Sequence, residues 1–213
     1  MATVVPSRVS ALSDDVELPA DSPFQGSQRR ILLAALDRFA RHGYGATSIR
    51  DIAGDLGLNS ATLYAHFPNK EAILADLVLL GHRMHHTRLL EAVLASPGDP
   101  MAQLMAFSRE HVLVHCTYPR LAVVANIELH ALSFAAAAPA LALREQSFGL
   151  ATGILQRGQA AGTFDVVDVG ATAAAIASLG MQAAHWFPHP LVQLDADELA
   201  SHYCTLVARM VTA

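Results

Sequence analysis

The segment TSIRDIAGDLGLNSATLYAHF, residues 47–67, restricts the fold of this chain more than any other stretch. It contains two short apolar-periodic runs on either side of Gly57. Two helices that cross steeply need a small residue where they touch, and Ala53 supplies it. The tight turn between them favours a residue free to enter the left-handed region, and Gly57 follows four residues later. Ile49, Ile52, Leu56, Leu58 and Leu63 have the spacing of two facing inner surfaces. Thr47 is placed to cap the first of these helices. The spacing therefore predicts a helix-turn-helix. The outer positions of its second helix, Asn59, Ser60, Ala61, Thr62, Tyr64 and Ala65, are small or polar, which suits a helix tip in a major groove.

Charge supports that reading. Lys70 is the only lysine of the 213 residues, and the whole chain carries a formal charge of −5. That balance excludes nonspecific coating of nucleic acid by the entire surface. The cations are nonetheless concentrated: residues 24–75 are net positive, and both flanking parts are net negative. Tyr64, His66 and Lys70 bring hydroxyl, imidazole and ammonium donors to one end of the reading helix, where a phosphate backbone would pass. Thr47 approaches from the other side, and Arg50 has the reach for a guanine edge.

The rest of the chain reads as helix. With 53% hydrophobic and 15% charged residues it can bury a sizeable core. Residues 1–24 lack an apolar period and are expected to be a disordered tail. A first helix starts after Ser27, read as its N-cap, and ends before Gly43. A long helix begins after Asn69, and "PGDP" stops it. Further helices are expected at about 101–116, 120–133, 139–161, 169–186 and 195–211, with Pro119 and Pro139 as starts. The expectation is all-α, with about nine helices: a helix-turn-helix DNA-binding domain over 25–72 and a larger domain over 73–213. Residues 169–194 lack Asp, Glu, Lys and Arg. Polar and proline breaks and many small residues argue there for a buried helix rather than a membrane span. No signal peptide is read at the N-terminus. Cys116 and Cys204 form no framework or metal spacing and read as buried thiols of a reducing cytosol.

The stretch TSIRDIAGDLGLNSATLYAHFPNKEAIL resembles the signature of the TetR/AcrR family of bacterial transcriptional regulators, with residues 27–75 covered. The resemblance implies a three-helix DNA-binding head, a helical ligand domain and a homodimer that usually represses and works in the bacterial cytoplasm. It implies that Thr47, Tyr64 and Lys70 contact phosphates, that Arg50, Ser60, Ala61 and Thr62 face bases, and that His66 lies near the backbone. "NIELHAL", "ILQRGQAAGTFD" and "AAHWFPHP" are more loosely similar to ligand domains that sense acyl-coenzyme A esters of lipid or steroid breakdown.

In the larger domain, small residues such as Ala171, Ala175, Ser178 and Gly180 suit close helix packing. A homodimer through the last two helices is expected, with Leu199, Tyr203, Leu206 and Met210 as a stripe on the final one. Phe107, His111, Phe148, Met181, His185 and Trp186 are the candidate pocket for a small apolar effector. Arg109, Arg120, Arg144 and Arg157 are the cations that could meet effector phosphates. His82 with His86, and His111 with His115, are spaced to share helix faces. No HExxH and no di-iron pattern accompanies them, so neither metal nor cofactor is expected. No nucleophile elbow or phosphate loop points to an enzyme. The alternatives are a regulator of drug efflux or, from another class, an all-α metal-binding enzyme.

Overall fold

A computed structural model of the chain describes residues 16–212. Nine α-helices and one short 3-10 turn make up the described residues, with no β-strand. The head is α1 (Gly26–His42), α2 (Ile49–Asp55) and α3 (Ser60–Tyr64). The body follows as α4 (Lys70–Ala95), α5 (Pro100–Thr117), α6 (Pro119–Ile127), the 3-10 turn Glu128–Ala131, α7 (Phe134–Ala160), α8 (Val169–Trp186) and α9 (Ala196–Val211). No described helix is long and apolar enough to cross a membrane.

Caps decide most of the helix starts. Asn59, Asn69, Asp99 and Asp168 each accept a backbone N–H from the first turn of α3, α4, α5 and α8. Ser48 with Asp51 and Asp195 with Glu198 form reciprocal capping boxes on α2 and α9. Three expectations are corrected here. Helix α2 is capped by Ser48, and the Thr47 hydroxyl instead donates to the Gly43 carbonyl at 2.9 Å. Helix α1 begins at Gly26, before Ser27, and its N-cap Gln25 makes no side-chain bond. Helix α7 begins at Phe134, so Pro139 lies inside it rather than at its start. Proline denies the Ala135 carbonyl its helical partner, but Ala135 is exposed and water can replace that bond.

The head and body share one core. Ile31, Leu36 and Phe39 of α1, Ile52 of α2, Leu63 of α3, Leu74 and Leu77 of α4, Leu121 and Val124 of α6 and Ala137 of α7 belong to a single apolar cluster. Residues 16–24 join it, against the expected tail. Leu18 is buried, Val16 and Phe24 pack on the cluster, and Arg29 donates to the carbonyls of Leu18 and Pro19 at 2.8 and 3.1 Å. The remaining part of the expected tail, residues 1–15, lies outside the described residues. A second cluster, with Leu89, Leu104, Phe107, Ile154, Phe164 and Val207, closes the far end of the body. A third, smaller one seats Leu199 and Ala200 of α9 on Val112 and Ala183.

Candidate nucleic-acid interface and cavity

Gly57 takes φ +65°, the left-handed conformation that turns α2 into α3. Ala53 is buried beneath, and its carbonyl accepts the N–H of Leu58 at 2.9 Å. The outer face is a groove lined by Gly45, Thr47, Arg50, Ser60, Tyr64, Asn69 and Lys70 among others. Five of the eight residues expected at DNA therefore meet at one surface. Ala61 and His66 are exposed beside it, and Thr62 is half-buried with its hydroxyl donating to Asn59 Oδ1 at 3.0 Å. Arg50 is exposed and makes no hydrogen bond or ion pair within the described residues. Tyr64 is 51% exposed.

Two of the expected phosphate donors are engaged internally. The Thr47 side chain is buried, so its hydroxyl is not on offer. Lys70 donates to the carbonyls of Tyr44 and Thr47 at 2.7 and 2.6 Å and sits 4.0 Å from the centre of the Tyr44 ring. An ammonium has three donors, so one remains for an external acceptor. Arg38 forks onto Asp55 with two bonds of 2.6 Å, and Arg41 pairs with Asp37 at 2.8 Å. The positive field of the groove thus rests on Arg50 and Lys70.

One ion pair ties this head to the body, and one hydrogen bond ties the start of α4 to the start of α7. Arg120 of α6, itself buried, donates to Asp37 of α1. Glu71, in the first turn of α4, accepts the N–H of Ser133 at 2.7 Å just before α7, and that bond holds its carboxyl below the usual range.

The body encloses a cavity of ≈650 Å³ between α4, α5, α6, α7 and α8. Phe107, His111, Phe148 and Met181 line it, as expected. His185 and Trp186 do not: Trp186 packs on the apolar cluster that includes Phe187, Ala183 and Leu199. Of the four arginines considered for phosphates, Arg144 alone lines the cavity. Arg109 is held by Asp197 and Ser201, Arg120 by Asp37, and Arg157 by Gln103. The sequence reading missed His82 and His85, three apart on α4, because it paired His82 with His86. His86 points instead to Ser147, at 3.1 Å. His82 Nε2 is buried without a hydrogen-bond partner, and burial with nearby Arg144 pushes this ring down to about 4. Both cysteines are half-buried, and burial pushes the Cys116 thiol up to about 12, which keeps it unreactive.

On the expected α9 stripe, Leu199 is buried within the subunit, Tyr203 and Leu206 are half-buried, and Met210 is exposed. The exposed face of α9 carries Glu198, His202, Thr205 and Arg209, and that of α8 carries Ala171, Ala175, Ser178 and Gln182.

A helix-turn-helix head on a helical body with an internal cavity defines the class. Residues 31–77 match the family described as bacterial regulatory proteins, tetR family, and residues 97–211 match the tetracyclin repressor-like C-terminal domain. The chain belongs to the TetR family of bacterial transcriptional regulators, and it is a regulator rather than an enzyme. It is 27% identical over 193 residues to the HTH-type transcriptional repressor KstR2 of Rhodococcus jostii, covering 89% of this chain and 94% of that protein. A bacterial regulatory protein of the tetR family from Rhodococcus RHA1 is 32% identical, with a TM-score of 0.82 over 89% of this chain and 99% of that one. AibR, solved in complex with isovaleryl coenzyme A and operator DNA, shares the fold at 22% identity, TM-score 0.76, over 84% and 96%. Two other curated regulators match over 90 and 80 residues, 31% and 27% of their own length.

Proposed function

We propose that this chain is a repressor that binds a palindromic operator as a homodimer and is released when an apolar effector, an acyl-coenzyme A ester, fills the cavity. The observation that carries the reading is that α4 and α6 each serve both sites. Helix α4 starts at the groove with Lys70 and lines the cavity with Gly81, His82 and His85. Helix α6 lines the cavity with Ala122 and Ala125 and holds α1 through Arg120. A ligand that moves either wall shifts the head, which is what coupling two sites requires.

In this reading residues 25–72 form the DNA-binding domain and 73–213 the ligand and dimer domain. Arg50, Ser60, Ala61 and Thr62 face bases; Tyr64, His66 and the remaining donor of Lys70 meet phosphates, and Thr47 shapes the loop behind them. The acyl chain lies against Phe107, Phe148 and Met181. Arg144 faces the charged part of the effector, and the AibR complex supports an acyl-coenzyme A in a body of this fold. Small residues on the exposed face of α8 meet their symmetry copies. The protein acts in the bacterial cytoplasm, on the nucleoid when bound to DNA.

The test is to select duplexes from a random pool, then add acyl-coenzyme A esters, free acids and hydrophobic drugs to the best complex. Release by a thioester, with no response from its free acid, supports the reading. Release by drugs or free acids alone overturns the effector class.

A further inference from the structure

Three histidines from two helices meet in the cavity wall: His85 of α4, and His111 and His115 of α5. One ring nitrogen from each lies within 4.8 Å of the other two, the only such grouping of histidine, cysteine and carboxylate atoms among the described residues. We propose that His85, His111 and His115 form a binding site for a divalent transition-metal ion of the zinc type, set in the cavity wall with its fourth coordination position left for water or a bound anion. This inference stands apart from the effector reading, since the site is built whether or not a thioester binds.

The tautomers argue for it. His111 Nε2 lies 2.8 Å from the Ala177 carbonyl, and a carbonyl only accepts, so Nε2 carries the proton. His111 Nδ1 is then a lone pair. His115 Nδ1 lies 2.7 Å from the His111 carbonyl, so it too is protonated, and its Nε2 is a lone pair. An imidazole that donates one N–H to a backbone carbonyl while offering its other nitrogen is the arrangement that orients metal ligands. His85 Nε2 approaches His111 Nδ1 at 2.8 Å and donates to it. It becomes the third ligand when its proton moves to its own Nδ1, a tautomer change with no net loss of a proton. Zinc–nitrogen bonds of about 2.0–2.1 Å in a tetrahedron place ligand nitrogens about 3.3 Å apart. The His85–His111 pair stands at 2.8 Å and no pair exceeds 4.8 Å, so small side-chain shifts reach that spacing.

The surroundings suit neutral nitrogen ligands. Burial lowers all three rings, His115 to about 3, so protons do not compete with a cation near neutrality. Space for His111 is provided by Gly180 of α8: a Cβ there would stand 2.2 Å from His111 Cδ2. Three imidazoles with an open position match the ligand count of exchangeable rather than closed structural sites.

The experiment uses the untagged full chain, stripped with a chelator and titrated with zinc(II). We expect about one zinc retained per chain after dialysis and a rise in melting temperature with zinc concentration. His85→Ala and His115→Ala should weaken zinc by at least ~100-fold, and Gly180→Ala, which displaces His111, by ~10–100-fold. His86→Ala should bind as the parent does. Circular dichroism confirms folding, and His115→Gln replaces His115→Ala if the latter unfolds. Cobalt(II) should give a visible d–d spectrum that His115→Gln abolishes. A folded parent chain that retains no zinc overturns the proposal. So does retention that His85→Ala and His115→Gln leave unchanged, which would place the ion on surface histidines.

Discussion

Lys70 is both a strut and a donor. Its ammonium fastens the loop before α2 through the Tyr44 and Thr47 carbonyls, and its third donor faces the groove. Lys70→Met should therefore lower stability by about 1–2 kcal/mol, discounted for partial exposure. It should also weaken every duplex alike, since phosphate contacts carry no sequence information. Urea unfolding and binding to several unrelated operators measure the two effects. Arg50→Ala should leave stability unchanged and relax preference at one position per half-site, as a comparison of single-base operator variants would record. The buried histidines set a second residue-scale expectation. His82 sits at about 4 and His115 at about 3 in the fold, against about 6.5 when unfolded. Between those values the unfolded chain binds more protons, so stability is full above pH 6.5 and falls as pH drops toward 4. Each ring contributes a slope of about 1.4 kcal/mol per pH unit within its window. Urea midpoints of the metal-free chain across pH 4–7 check this, and His115→Gln should flatten the curve.

At the scale of elements, the joint between α1 and α6 is the one to break. Asp37 accepts from Arg120 across the head–body seam and from Arg41 within α1. Asp37→Asn should cost about 1–3 kcal/mol, retain operator affinity and blunt release by the effector, as anisotropy titrations would show. The head itself was legible in sequence because its geometry rests on local spacing: Ala53, Gly57 and the aliphatics specify a turn that no distant contact alters. Caps were legible only as residue types. Thr47 and Ser48 are equally good caps, and the choice fell to Ser48 because the Gly43 carbonyl captured the Thr47 hydroxyl. Pro139 misled because an exposed early turn tolerates proline. The cavity was half legible. Phe107, His111, Phe148 and Met181 lie on faces that periodicity points inward, whereas the side of α8 that Trp186 takes depends on where α5 and α9 pack.

For the whole molecule, assembly is the first test. Ala175→Arg places a long cation on the exposed small-residue face of α8, where it touches nothing within the subunit's core. It should leave helix content intact, yield monomers by light scattering and abolish operator binding. Leu18→Ala should lower stability by about 2–3 kcal/mol, because the segment before α1 is part of the core rather than an appendage. Helix α4 carries a wider consequence. It is 26 residues long, so His85 in the cavity wall lies ~22 Å along the axis from Lys70 at the groove. A tilt of about 5° at the cavity end therefore swings the groove end by ~2 Å. In a symmetric pair the two swings add to ~4 Å, more than the ~3.4 Å between successive base pairs. The body need not unfold or swing open to release DNA. On the proposed reading, a ligand that spreads its walls by little more than a bond length would put the two heads of a dimer out of step with the helical repeat.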